Sequence, residues 1–323
     1  MMNKKGLIFN LILILLMILI IIFGVYYLYL NIPGNPENLN FSISKPIIIT
    51  KNQTFAEVSQ FYPNMKFNHN SISYEIDSAC SNKKRQRMIS AFNDLASKVN
   101  IISFHEVFGD SDIEVSCSAD KKESINKDYF IAGEGGAKEI VQTGRYNVIT
   151  NGTVLLYKET NTQDCDWANV ELHELIHVFG FGHSNNSNSL MYPYIEDCNQ
   201  KLDDSIIKEL IRLYSEENLA DLSFDNISAV KKGRYLDFNL TIKNSGLINS
   251  KKTILSVLDD GEVVKDFDLE QINYGAGIAI EIKNLRLISR NSEEIKFVID
   301  KNNLIKEIDE ENNIAVVSFI STS

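Results

Sequence analysis

The chain has 323 residues, a net charge of −11 and 44% hydrophobic residues, enough for about two domains beyond any targeting segment. The acidity argues against a nucleic-acid surface, since phosphate binding needs clustered Lys and Arg; the dense basic run Lys83-Lys84-Arg85-Gln86-Arg87 reads as a solvated helix face.

Residues 6–30 carry no charged side chain and consist almost entirely of Leu, Ile, Phe, Val, Met and Tyr. At 1.5 Å per residue a helix of this length spans roughly 35 Å, more than the hydrocarbon core of a bilayer. Tyr26, Tyr27 and Tyr29 at its far end suit the membrane interface. A cleavable signal peptide has a shorter apolar stretch and small residues at a cleavage site, so a retained anchor over residues 1–30 is expected. Lys4 and Lys5 precede the span, whereas the next twenty residues carry only Glu37 and Lys45. The positive-inside rule then leaves the N-terminus in the cytoplasm and the rest of the chain outside. Residues 31–54, with Pro33, Pro36, Pro46 and several Asn, read as a tether.

Regular structure is expected from residue 55 to 218. Ile72–Asp77 alternates as a strand, Met88, Phe92, Leu95 and Val99 recur at helical spacing, and Ile102–Val107 and Ile113–Ser116 read as short strands. Strand, helix, strand, strand implies a mainly parallel sheet with a crossover helix. The Asn151-Gly152 turn signal precedes a continuous apolar strand. Asp204 or Ser205 can cap a last helix bearing Ile206, Ile207, Leu210, Ile211 and Tyr214. Cys80, Cys117, Cys165 and Cys198 all precede residue 200; outside the cytoplasm they read as two disulfides, and four cysteines allow three connectivities. No C-x-x-C spacing favours a second zinc site. His69 and His105 stand alone and read as surface or satisfied core residues.

The chemistry concentrates between His173 and His183, an uninterrupted H-E-x-x-H-x-x-G-x-x-H string. On a helix, His173 and His177 share a face and can reach one metal, with Glu174 beside them. Gly180 can take a left-handed conformation, ending the helix and bringing His183 round as a third nitrogen ligand. Three protein ligands leave a fourth position open for water, which marks a catalytic zinc site. Glu174 is the expected base, so the string points to zinc-dependent peptide hydrolysis with one catalytic zinc. The glycine-rich stretch Ile131-Ala132-Gly133-Glu134-Gly135-Gly136 lacks the Lys-Ser or Lys-Thr of a phosphate loop and reads as lying near an edge strand where substrate backbone docks.

From about Ala220 the composition shifts to short alternating stretches, among them Leu236–Ile242, Thr253–Leu258, Ile278–Ile282 and Ile295–Ile299, separated by turn signals such as Asn244-Ser245-Gly246. Roughly seven strands in a hundred residues indicate an all-β sandwich over 219–323.

With the histidine string and Ser189-Leu190-Met191-Tyr192-Pro193 quoted, residues from about Phe61 to Leu213 resemble the metzincin clan of zinc proteases, and within it the matrixins, because Ser184 follows the last histidine. The resemblance implies an α+β domain with a five-stranded, mostly parallel sheet, Met191 as an apolar base under the metal, and Pro193 and Tyr194 lining the substrate pocket. It also implies that the first and third strands are parallel neighbours, which pairs Cys80 with Cys117 and leaves Cys165 for Cys198. No Pro-Arg-Cys-Gly cysteine switch is present, so latency by that route is not expected. Thr241–Gly246 and the ending Val298–Asn313 resemble CARDB modules, an immunoglobulin-like family associated with adhesion. Asp309, Glu310 and Glu311 could offer calcium ligands, but a solvated acidic turn is the simpler reading. The expectation is a membrane-anchored zinc endopeptidase acting on extracytoplasmic proteins or peptides, with a cell-surface partner for the C-terminal domain; the alternative is a surface adhesion or binding protein whose protease domain is vestigial or incidental.

Overall fold

A computed structural model describes residues 4–43, 58–123, 130–158, 168–195 and 198–318. The first element, α1 (Lys4–Asn31), includes an apolar stretch, Ile8–Asn31, with mean hydropathy 3.2 and no side chain buried against the rest of the molecule. It is long and apolar enough to cross a membrane. Two short strands follow, β1 (Pro36–Leu39) and β2 (Ser42–Ile43).

The next unit contains β3 (Met65–Lys66), β4 (Ser71–Ile76), α2 (Asn82–Val99), β5 (Ser103–Glu106), β6 (Ile113–Cys117), the small pair β7 (Lys122–Glu123) and β8 (Phe130–Ile131), then β9 (Gly133–Gln142), β10 (Asn147–Leu156), α3 (Asn169–Val178) and α4 (Asp204–Ser215). Its sheet runs β3-β10-β6-β4-β5, all parallel, with β9 antiparallel on β10. The five expected strands are there, and the two-residue β3 adds to them. Alternating burial along β4 and β10 puts one face on the helices, and Met88, Phe92, Leu95 and Val99 of α2 enter the core as their spacing predicts. The ring of Phe92 stacks on Tyr74 at 4.1 Å. Ser81 caps α2 through a bond from Lys84 N, and Asn100 ends it in the left-handed region at φ 60°.

Two local readings change. Asn151-Gly152 makes no turn: it sits inside β10 at a register shift against β9. A Cβ on Gly152 would lie 2.4 Å from Val178 Cγ1, so this glycine marks a close approach of strand and helix. The N-cap of α4 is Asp203, one residue earlier than expected, and its carboxylate accepts from Ser189 Oγ instead of capping the helix.

The C-terminal unit is a two-sheet sandwich made of β11 (Leu222–Lys232), β12 (Tyr235–Asn244), β13 (Thr253–Asp259), β14 (Glu262–Leu269), β15 (Gly277–Arg286), β16 (Glu294–Ile299) and β17 (Ile314–Ser318). Its sheets are β1-β11-β12-β15 and β14-β13-β16-β17-β2. The segment expected as a tether is therefore partly built into the sandwich: β1 adds to β11 and β2 to β17, both antiparallel. Unpaired edge strands expose rows of N–H and C=O groups, and this strap covers one edge of each sheet. Leu39 is buried, and Phe41 packs its ring 5.0 Å from Phe297 in the core. The two units also meet through a small apolar cluster of Tyr146, Val148 and Leu247, and Thr143 Oγ1 donates to Ser245 O at 2.9 Å across the same junction.

Candidate metal centre and active site

Helix α3, which carries His173 and His177, is buried on nearly every side, wedged against α2, β9 and β10. Its chain then reverses: Gly180 adopts φ +83°, and a Cβ there would meet Met65 Sδ at 2.2 Å. Only glycine suits both the dihedral and the contact. The reversal carries His183 back to the helix, and the Nε2 atoms of His173, His177 and His183 lie 3.0, 3.2 and 3.3 Å apart.

These distances carry a chemical argument. His173 Nδ1 sits 2.6 Å from Leu190 O and His177 Nδ1 sits 2.7 Å from Phe181 O. A carbonyl only accepts, so both Nδ1 atoms must carry the proton and both neutral rings must present bare Nε2 lone pairs. Two lone pairs cannot hydrogen-bond at 3.0 Å; a shared cation resolves the confrontation. Ligands at 2.0–2.1 Å in tetrahedral geometry stand about 3.3 Å apart, so the triad fits zinc. Burial holds His173 down to about 3, with His177 adding to the effect and the Leu190 bond opposing it; burial likewise lowers His177 and His183. Each shift favours the neutral ring that a metal ligand must be.

Glu174 is buried beside the triad. Burial pushes its carboxyl up to about 8, opposed by a hydrogen bond from the Gly135 N–H and reinforced by Glu134 and Glu171. The edge strand β9 can come this close because two residues on one face of it lack side chains. A Cβ on Gly135 would lie 2.0 Å from the Glu174 carbonyl oxygen, and one on Gly133 would lie 2.7 Å from Glu174 Cγ. The sequence placed these glycines near an edge strand but missed their contact with Glu174; the available signal was their spacing of two, which sets both on one face of a strand.

Met191 is fully buried, and its carbonyl accepts from Ser184 N at 2.7 Å, tying the residue after His183 to the methionine segment. Ser189 Oγ accepts from Met191 N and donates to Asp203, so the start of α4 braces the same segment. Pro193 is exposed. Tyr194 is half-buried, its ring 6.0 Å from that of Tyr192 and its carbonyl accepting from Gln200. His69 and His105 lie elsewhere: His69 bonds Asp112 and Asn68, and His105 faces Ser71 Oγ. A disulfide joins Cys80, just after β4, to Cys117 at the end of the neighbouring parallel strand β6. The expected Cys165–Cys198 link involves Cys165, which lies outside the described residues.

The matrixin family model matches residues 66–215, and the CARDB family model matches residues 219–317. Among solved structures, the chain is similar to the CARDB domain of a Pyrococcus furiosus protein in complex with di-metal ions, at 19% identity over 31% of this chain and 88% of that one, with a TM-score of 0.25. It is also similar to a domain, solved by NMR, of a protein described as a cell-surface protein from Methanosarcina acetivorans, at 18% identity over 32% of this chain and 94% of that one, with a TM-score of 0.26. No curated protein matches the chain.

Proposed function

Because this chain carries a matrixin domain followed by a CARDB domain, we propose that it is a membrane-anchored zinc endopeptidase hydrolysing peptide bonds in extracytoplasmic proteins. The matrixin domain supports a metalloprotease in general, and the apolar helix α1 supports membrane anchoring. The observation that carries the specific reading is the convergence of three Nε2 atoms, two of them left bare by the Nδ1 bonds of His173 and His177, next to a buried carboxyl group.

In this reading His173, His177 and His183 hold one zinc ion, which when bound polarises the scissile carbonyl and the attacking water. Glu174 takes the proton from that water and passes it to the leaving amine. Its carboxyl is raised chiefly by burial, with Glu134 and Glu171 adding, and next to a bound cation it would ionise at lower pH, as a base must. The Gly135 N–H helps to hold that carboxyl in place. Gly180 and Met191 shape the site without touching the substrate, and Pro193 and Tyr194 line the pocket for the side chain after the cleaved bond. The free edge of β9 receives the substrate backbone as an added strand. Lys4 and Lys5 keep the N-terminus in the cytoplasm, which puts the protease (55–218) and the sandwich (219–323) outside, after the anchor (1–30) and the segment 31–54.

Glu174→Gln tests the assignment. It should keep zinc and lose about 100-fold or more in kcat/KM, the usual worth of a general base. Activity within tenfold of the parent chain refutes it.

A further inference from the structure

Two of the three histidines of the proposed metal site depend on one turn. Residues 179–182 lead from the end of α3 to His183, and within them the Phe181 carbonyl accepts from His177 Nδ1 at 2.7 Å. The turn therefore orients one ring and delivers another. As a helix end it also leaves carbonyls that no helical N–H reaches.

A segment far earlier in the chain holds this turn. Phe61 N donates to Gly180 O at 2.8 Å and Gly182 N donates to Ser59 O at 3.1 Å, on either side of an antiparallel bridge between Gln60 and Phe181. The Phe61 ring lies against Gly182, where a Cβ would stand 3.5 Å from Phe61 Cε1. The half-buried side chain of Gln60 completes the grip from 119 positions away, its Nε2 donating to Phe179 O at 2.9 Å. The same Nε2 donates to Met65 O at 2.7 Å, and Oε1 accepts from Met65 N at 3.0 Å. A backbone N–H only donates, so the amide oxygen must face Met65 N and the amide nitrogen must face the two carbonyls. Both donors of the amide are thus spent on positioning. Met65 in turn fills the space beside Gly180 that a Cβ would need. One glutamine therefore ties β3, the end of α3 and the turn together.

We propose that Gln60 is a positioning residue for the metal centre: by clamping residues 179–182 it sets Phe181 O against His177 and brings His183 into the triad. It touches neither the metal nor the substrate. The inference rests on the zinc reading of the triad and extends it to the shell that orients the ligands. Partners of this kind are typically worth 10–100-fold in metal affinity. Gln60→Met keeps the length of the side chain and leaves Phe179 O and Met65 O without their donor. Gln60→Glu keeps the shape and sets a carboxylate, which only accepts, against the same two carbonyls.

The test uses the purified full chain in detergent. Zinc affinity is measured by competition with a chromophoric chelator, and the ligand geometry is read from the visible spectrum of the cobalt-loaded chain. The Cys80→Ser, Cys117→Ser chain is the control for lost stability, since its disulfide ties the ends of β4 and β6. Gln60→Met should bind zinc 10–100-fold more weakly and change the cobalt spectrum, whereas the control should melt lower with parental affinity and spectrum. Gln60→Glu carries the same expectation if Gln60→Met does not fold. Zinc affinity within threefold of the parent chain would overturn the proposal. So would a loss of affinity that the control shares in proportion to its lower Tm, because Gln60 would then only stabilise the domain. A parent chain that binds no zinc would refute the zinc reading itself, and this inference with it.

Discussion

Gly135→Ala probes the contact on which the proposed base depends. The new methyl carbon would stand 2.0 Å from Glu174 O, 2.7 Å from its carbonyl carbon and 2.8 Å from its Cα. All three are backbone atoms inside a buried helix, so no side-chain rotation relieves the clash. Carbon atoms approach comfortably to about 3.5 Å, and β9 must therefore retreat from α3 by more than an ångström. That retreat breaks the Gly135 N–H bond to the Glu174 carboxyl and loosens the base. Overpacking of this kind costs about 1–3 kcal/mol, which lowers Tm by roughly 3–10 °C in a domain of this size. A catalytic group misplaced by an ångström costs on the order of 100-fold in rate. Gly136→Ala is the control, because a Cβ there meets nothing within 4 Å. Thermal melts, zinc content and kcat/KM on one peptide substrate would be compared for both variants. Gly135→Ala should keep its zinc, melt lower and lose about 100-fold in kcat/KM, while Gly136→Ala stays near the parent chain. Equal stability and activity in the two variants would refute the close packing of β9 on α3 as the device that holds Glu174.

Further expectations follow from other parts of the fold. Replacing Cys80 and Cys117 with Ser, a link closing 37 residues, should cost about 4 kcal/mol by the chain-entropy relation, seen as a lower Tm with unchanged zinc affinity; an unchanged Tm would contradict it. Lys66 is fully buried, donating to Leu213 O and Asn218 Oδ1, and burial lowers its ammonium from the ordinary range to about 8, with Glu216 opposing and Arg212 adding. Between pH 8 and about 10 the unfolded chain then holds the extra proton, so stability should rise with pH through that window. Urea melts of Lys66→Met should lack this rise, and an unchanged difference curve would show that Lys66 does not titrate there. Removing residues 32–43 strips β1 and β2 from the sandwich and should lower its melting transition while sparing that of the protease; coincident, unchanged transitions would argue against the strap. A fragment of residues 58–218 exposes Tyr146 and Val148 and should melt lower than the intact ectodomain yet still cleave peptides; loss of activity would show that the sandwich is required.

The parts that were legible in the sequence are those whose determinants are contiguous. The three histidines of the proposed zinc site fall within eleven residues, and their geometry follows from helix periodicity and one glycine. The sandwich strands announce themselves by alternation over six or more residues. The strap was not legible, because strands of four and two residues with Pro and Asn carry no period, and β1 pairs with residues almost two hundred positions away. Asn151-Gly152 misled for a related reason: the local turn preference gave way to pairing on both sides of β10 and to the approach of Val178. Lys66, charged in sequence, gave no sign that it lies under Tyr214 with its ammonium 5.0 Å from the ring centre. The Cys80–Cys117 link could be drawn only once the matrixin resemblance supplied the strand order.

The central claim is that the His173, His177 and His183 cluster makes this chain a zinc endopeptidase. The most direct measurement is digestion of a peptide library by the purified full chain in detergent, with metal content measured on the same sample. The account predicts one zinc per chain, cleavage that stops with chelator, and recovery on adding zinc back. Cleavage indifferent to the chelator, or a chain loaded with zinc that cuts nothing, would contradict it.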